Sequence, residues 1–232
     1  MQPPRGLVRL TFTMDAPSSP LYPLRGTARL SYYLQRLSQR TRHWRFCDYL
    51  LIAQPRRTLP IMPKAYSVVR ATDAELRAHQ RLFHLSTATL RWRRAQAMDA
   101  LMALRDGKPV GLIWLGRQGF EEDEAPLRFH LPPGGAWDTG LYIPPRERHR
   151  RAWTALWAGV AHWMQTEGIE TCYSRINPAN SASLASHRRM GARILGRLYL
   201  IQSENWLWAP THHILPRRRT AGQRLDIGVD KG

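Results

Sequence analysis

The segment Tyr142-Ile143-Pro144-Pro145-Arg146-Glu147-Arg148-His149-Arg150-Arg151-Ala152-Trp153 reads as a strand end, a tight basic turn and a helix start. The first turn of a helix carries backbone N–H groups with no acceptor inside the helix, at the positive end of its dipole. Such a terminus binds phosphate without any side chain. Four arginines and a histidine crowd the same turn, and toward a pyrophosphate they would add charge-assisted, often bidentate hydrogen bonds. A solvated basic surface is the bland alternative. Downstream, Asn177-Pro178-Ala179-Asn180-Ser181 and His187-Arg188-Arg189-Met190-Gly191-Ala192 place polar and titratable groups at the two ends of a short helix.

The elements that must hold these groups follow from periodicity and turn signals. Tyr66–Arg70 is a short strand, and Thr72-Asp73-Ala74-Glu75 is a capping box opening a helix that runs through Leu76, Leu82 and Phe83. Met98–Arg105 and Pro109–Leu115 flank the hairpin signal Asp106-Gly107. The acidic run Glu121–Glu124 reads as a solvated loop, ahead of the Pro/Gly-rich Pro132–Gly135. Trp137–Ile143 is a strand stopped by two prolines, followed by an amphipathic helix from about Arg151 to Thr166 that Gly168 ends. Thr171–Ile176 is a strand, Ser181–Met190 a helix, and Ile194–Gln202 and Asn205–Trp208 are strands. Alternating signals of this kind predict a mixed α/β layer fold around one sheet.

The order of elements and the two motifs together resemble the GNAT superfamily, the Gcn5-related N-acetyltransferases. Proteins of that family pair a pyrophosphate-gripping strand–turn–helix with a strand, an Asn and a second helix. That helix has a tyrosine seven residues after the Asn and a Gly four residues later. Here Asn180, His187 and Gly191 take those positions, and the resemblance covers about Tyr66 to Trp208. The family's turn reads Arg or Gln, two residues, Gly, one residue, then Gly or Ala. In this chain Arg148 takes the first position while Arg151 and Trp153 replace the two small residues. Glycine serves there because backbone approaches phosphate closely.

The resemblance implies a mostly antiparallel sheet flanked by helices, with strands splayed at the cofactor cleft. It implies acetyl-CoA or another acyl-CoA as donor, a primary amine as acceptor, and direct transfer in a ternary complex. Leu141, Tyr142 and Ile143 would hold the pantetheine arm by strand backbone, with Arg148, His149, Arg150, Arg151, Ala152 and Trp153 at the pyrophosphate and Asn180 and Ser183 beside them. A backbone N–H near Tyr142 would polarise the thioester carbonyl. His187, in the tyrosine's place, becomes the acid for the thiolate. Asp138, Tyr173 or the run Glu121–Glu124 would serve the amine's proton. Trp153, Trp157 and Trp163 are read chiefly as core on the sheet.

Thirty-five Lys and Arg against 17 Asp and Glu give a net charge of +18, which favours anionic partners. The acceptor is a small-molecule or peptide amine. An acidic acyl carrier protein is an alternative donor, and a non-catalytic relative binding nucleic acid or anionic membrane is the rival function. No zinc finger or aromatic-rich RNA-binding sheet signature supports nucleic acid. Cys47 and Cys172 fit neither a disulfide framework nor a metal site, and no apolar run is long enough to cross a bilayer, so a cytoplasmic location is expected. Three segments are expected. Residues 1–64 form a basic extension whose helix docks by a stripe through Leu30, Leu34 and Leu37 or contacts a membrane surface. Residues 65–210 form the acyltransferase domain, and residues 211–232 a mobile tail.

Overall fold

The computed structural model describes residues 27–41, 43–123, 125–148, 150–203, 205–210, 214–218 and 224–229. Two hydrophobic layers lie on opposite faces of one nine-stranded sheet, in which β1 (Trp44–Pro55), β2 (Tyr66–Arg70), β3 (Asp99–Arg105), β4 (Lys108–Gly116), β7 (Gly135–Tyr142), β8 (Thr171–Ile176), β9 (Arg193–Ser203), β10 (Trp206–Ala209) and β11 (Ile214–Arg218) run in the order β11-β10-β9-β1-β8-β7-β4-β3-β2. All neighbours are antiparallel except β7 and β8. The mixed, mostly antiparallel sheet flanked by helices is the architecture the sequence implies.

One face is covered by α4 (Ala152–Thr166), which buries Leu156, Trp157, Val160 and Trp163 against β3 and β4. Trp157 and Trp163 are thus core, as expected for aromatic residues on such a helix. Gly159 lets α4 approach β2: a Cβ there would lie 2.4 Å from Val68. The other face carries α2 (Asp73–Ala78), α3 (Thr87–Ala95) and a second, three-stranded sheet of β5 (Phe120–Glu121), β6 (Leu127–His130) and β12 (Leu225–Gly228). Asp106 (φ 50°) and Gly107 (φ 73°) make the β3–β4 turn in the left-handed region, as the Asp-Gly signal predicts.

The structure corrects the sequence reading in four places. The helix opened by the Thr72 capping box does not continue through Phe83; the chain turns at His84 (φ 48°), and a second helix starts at Ser86, whose hydroxyl accepts from the Thr89 N–H. The acidic run is not a free loop, since Glu121 lies in β5. Of the expected tail 211–232, the described parts form β11 and β12, and Leu225, Ile227 and Val229 are buried. Most consequentially, β1 is not part of an appended extension. It lies inside the sheet, antiparallel to β8 on one side and β9 on the other.

Helix α1 (Thr27–Arg40) docks on β1 with its polar side. Asp48 of β1 is fully buried, accepts from the Ser31 hydroxyl and pairs with Arg197 of β9 at 2.6 Å. Ser38, also fully buried, accepts from the Phe46 N–H at 3.0 Å. Those buried groups need polar partners, so α1 turns its serines inward and leaves Leu30, Leu34 and Leu37 exposed, contrary to docking by the leucine stripe.

Candidate active site

Strands β7 and β8 pair only at Gly135–Thr171, Ala136–Cys172 and Trp137–Tyr173, then part. Proline at 144 and 145 ends β7, and β4 keeps its hold on the other edge of β7 through a bulge between Leu112 and Trp114. A bulge bends a strand and re-aims its side chains. The parting opens a cleft of about 610 Å³ lined by Asp138 to Ile143 on one side and Ser174 to Ile176 on the other. Along it the facing edges of both strands lack a sheet partner, so their amides are available to an extended ligand.

The cleft passes through the sheet. On the α4 face it is lined by Arg148, Trp153, Asn180, Ser183 and His187; on the α3 face by Arg93, Asp123 and Arg175. The α4 face is fixed by the start of that helix. Arg151 caps it without a side-chain hydrogen bond, leaving the first-turn N–H groups to an outside acceptor. Arg148 donates through Nε to the Ile143 carbonyl at 3.2 Å, which ties the turn to the strand end. Ala152 is fully buried, and Arg150 is exposed beside Glu147 at 3.9 Å. The Trp153 indole replaces the family's second small residue and lines the cleft without closing it.

Helix α5 (Ser181–Arg189) begins at Asn180, whose side-chain oxygen accepts from the Ser183 N–H at 3.1 Å. About two turns on, His187 points inward. Its ring meets Trp153 and Trp157 edge-on at 5.3 and 5.0 Å, and Nδ1 is buried without a hydrogen-bond partner among the described residues. Burial among indoles lowers its pKa to about 4, so the imidazole is neutral at physiological pH. That removes the imidazolium as a ready proton donor, which a pKa near neutrality would have supplied.

Asp138 is the first residue of β7 beyond the last pair with β8, 7% exposed. Cys172 Sγ donates to its Oδ2 at 3.6 Å. Burial raises its pKa to about 7, opposed by the neighbouring Ser174 hydroxyl and the Cys172 thiol. A carboxyl poised near neutrality in a cleft is suited to acid–base work. Tyr173 is elsewhere: it alternates to the opposite face, 1% exposed in the core beside Trp137, outside the cleft lining. Glu121 is paired with Arg128 and Arg224, and Glu122 with Arg175 at 2.5 Å, so these two are neutralised internally. His149 and Glu124 lie outside the described residues. Sequence reasoning missed Arg93 and Arg175 in the cleft, because nothing local marks α3 or an outward position of β8 as facing it.

A mostly antiparallel sheet parted at its parallel strand pair, with a helix start at the gap, defines an acyltransferase-type α/β fold. The family model for acetyltransferases of the GNAT family matches residues 65–192, and the chain belongs to that family, whose reaction is acyl transfer. Strand β1 lies outside the matched residues. Among solved structures, a functionally unknown conserved protein from Staphylococcus epidermidis ATCC 12228 superposes with a TM-score of 0.53 at 11% identity, covering 79% of this chain and 69% of that one. A protein described as a GNAT-family acetyltransferase from Novosphingobium aromaticivorans DSM 12444 gives 0.50 at 15% identity, covering 76% and 80%. A Gcn5-related N-acetyltransferase from Kribbella flavida gives 0.48 at 14% identity and covers 70% of this chain, which spans 60% of that one. These likenesses concern the fold. No curated protein matches the sequence significantly. Among the described residues there is no cluster able to hold a metal ion and no helix long and apolar enough to cross a membrane.

Proposed function

We propose that the protein transfers an acyl group from acyl-CoA to a primary amine, with both substrates bound in the cleft between β7 and β8. The observation that carries this reading is the cleft's passage through the sheet. A donor can lie along the unpaired strand edges from the α4 face while an amine arrives from the α3 face. The residues present fit the donor: open amides on both strands for pantetheine, and uncapped N–H groups of α4 with Arg148 for pyrophosphate. When bound, acyl-CoA supplies an activated thioester carbonyl.

The chain's own groups then have distinct tasks. Asp138, with a pKa of about 7, is ionised often enough at neutral pH to take the proton from the attacking nitrogen. As the N–C bond forms and the C–S bond breaks, that proton is the one the departing thiolate requires. From a free amine the balance is therefore amide plus thiol, with no proton released. His187, held neutral, offers a ring N–H as a hydrogen bond toward sulfur and presents no competing charge. Trp153 and Trp157 keep water from that end.

Thermal shift with acetyl-CoA, longer acyl-CoAs and desulfo-CoA tests the reading, because a ligand that binds only the native state raises its melting temperature. Stabilisation by desulfo-CoA at micromolar concentration is expected. No shift with any of these compounds refutes CoA as donor.

A further inference from the structure

We infer that the exposed flank of α1, continued by two tryptophans of β10, docks on an anionic lipid surface, with its leucines among the acyl chains and its arginines at the headgroups.

The roll of α1 decides which side chains are available. At 3.6 residues per turn Ser31 and Ser38 fall on one line, and both are buried toward β1. Gln35 lies to one side of that line and accepts from the Asn177 side chain, just beyond β8, at 2.5 Å. Leu30, Leu34 and Leu37 therefore lie on the other side, toward β9 and β10, with Tyr33 beyond them. Leu30, Tyr33 and Leu37 are 63%, 56% and 54% exposed.

The sheet extends this flank. Phe46 of β1 is in register with Ile201 of β9, and Ile201 with Trp208 of β10. Residues paired in register share a face, so Trp208 and, two residues back, Trp206 stand on the face that α1 covers. Both indoles are exposed, on a strand about 10 Å from β1 by the spacing of neighbouring strands. Helix and strand thus border one apolar patch with aromatic edges.

The charge around the patch selects its occupant. Helix α1 contains no Asp or Glu. Arg29, Arg36 and Arg40 fall together on its outward side, are exposed, and meet no carboxylate among the described residues. Arg29 lies over the Tyr33 ring and Arg36 over the Tyr32 ring, at 5.9 and 5.8 Å. A second copy docked through the leucines would bring these arginines together with no acid to offset them. An anionic bilayer accepts both halves of the pattern. Leucines and indoles enter the acyl boundary, while arginine stems reach back to the phosphates. Tyr and Trp are the aromatic residues favoured at that depth. With 14 residues the helix is too short to span the bilayer, so it lies along the surface.

The test is sedimentation of the full chain with phosphatidylcholine vesicles, with and without about 30% phosphatidylglycerol, in about 0.1 M salt. Binding at least about tenfold tighter to the anionic vesicles is expected. Leu30→Ser with Leu37→Ser should weaken it at least about tenfold, with little change in melting temperature when lipid is absent. Arg29→Gln, Arg36→Gln and Arg40→Gln together should also weaken it at least about tenfold. Neutralising Arg77, Arg81 and Arg91, exposed in the layer over the opposite face, should leave it within about threefold. No binding to anionic vesicles, equal binding to neutral ones, or a serine variant that binds as well as the parent overturns the assignment. So does an equal loss from the Arg77, Arg81 and Arg91 set, which is the mark of general charge attraction. A large fall in the serine variant's melting temperature without lipid means that this chain already covers the stripe. A dimer that the serine variant dissolves means that a second copy does. Either result overturns it as well. None of these readouts involves acyl-CoA, so the outcome is independent of the proposed activity.

Discussion

Replacing Asp138 with Asn should lower turnover and raise stability, and the two effects should share one pH dependence. The carboxyl has a pKa of about 7 in the fold against 3.8 in an unfolded chain, because burial beside Cys172 and Ser174 penalises its charge. Below about pH 4 it is protonated in both states. As pH rises from about 4 to about 7 the unfolded chain releases this proton and the folded chain keeps it, so stability falls; above about 7 the loss is complete. At 1.36 kcal/mol per pKa unit the full loss is about 4 kcal/mol. Asn is uncharged throughout, so the advantage of Asp138→Asn over the unaltered protein should grow from about 1.5 kcal/mol at pH 5 to about 4 kcal/mol at pH 8, read from urea titrations at both pH values. Over the same range kcat/KM of the unaltered protein, expressed on the concentration of free-base amine, should rise about tenfold per pH unit and level off above 7, while the Asn variant loses about 10²–10⁴-fold. A variant with turnover within a few-fold of the parent refutes the base. A parent-minus-variant stability difference that does not change between pH 5 and pH 8 refutes the perturbed carboxyl.

His187→Phe should cost turnover with little change in the desulfo-CoA shift. Because burial holds the folded pKa near 4 rather than 6.5, the parent loses about 3 kcal/mol as pH falls from about 6.5 to 4, and Phe should abolish that loss. This slope opposes that of Asp138, so the two hide each other in the parent and emerge only as differences measured against each variant. Gly140→Ala should destabilise by about 1–3 kcal/mol through its positive φ and displace the Arg93 guanidinium, lowering the melting temperature even without ligand. Glu122→Ala takes the Glu122 carboxylate away from the largely buried Arg175 and should cost about 3–5 kcal/mol in urea. Removal of residues 1–55 should abolish cooperative unfolding, whereas a mere extension would be dispensable.

Local signals were sufficient for the elements that build the cleft. Thr171–Ile176 is a strand with the bounds read from sequence, and α4 ends where Gly168 (φ 69°) stops it. The motif spacing likewise brought Asn180 and His187 to the same wall. Tyr173 was misplaced because alternation along a strand sends neighbours to opposite faces, and the sequence alone does not say which face is the cleft. Arg93 and Arg175 were missed because their roles depend on long-range packing. His187's pKa was misjudged because its indole surroundings come from a different helix.

The placement of β1 shows how far a local reading can stray when the decisive partner is distant in the chain. Leu30, Leu34 and Leu37 form the stripe that a helix normally buries, and sequence periodicity alone favours docking through them. Strand β1, however, enters the sheet beside β9 with Asp48 on the face that α1 must cover. A fully buried carboxylate without hydrogen bonds would cost several kcal/mol, more than the exposure of a few leucines. Ser31 and Arg197 together satisfy Asp48, so the ion takes precedence and the helix rolls its serines inward. The same rule governs the cleft. At Arg175 and Glu122, as at Asp48, buried charge determines which way the surrounding elements face, and apolar pattern follows.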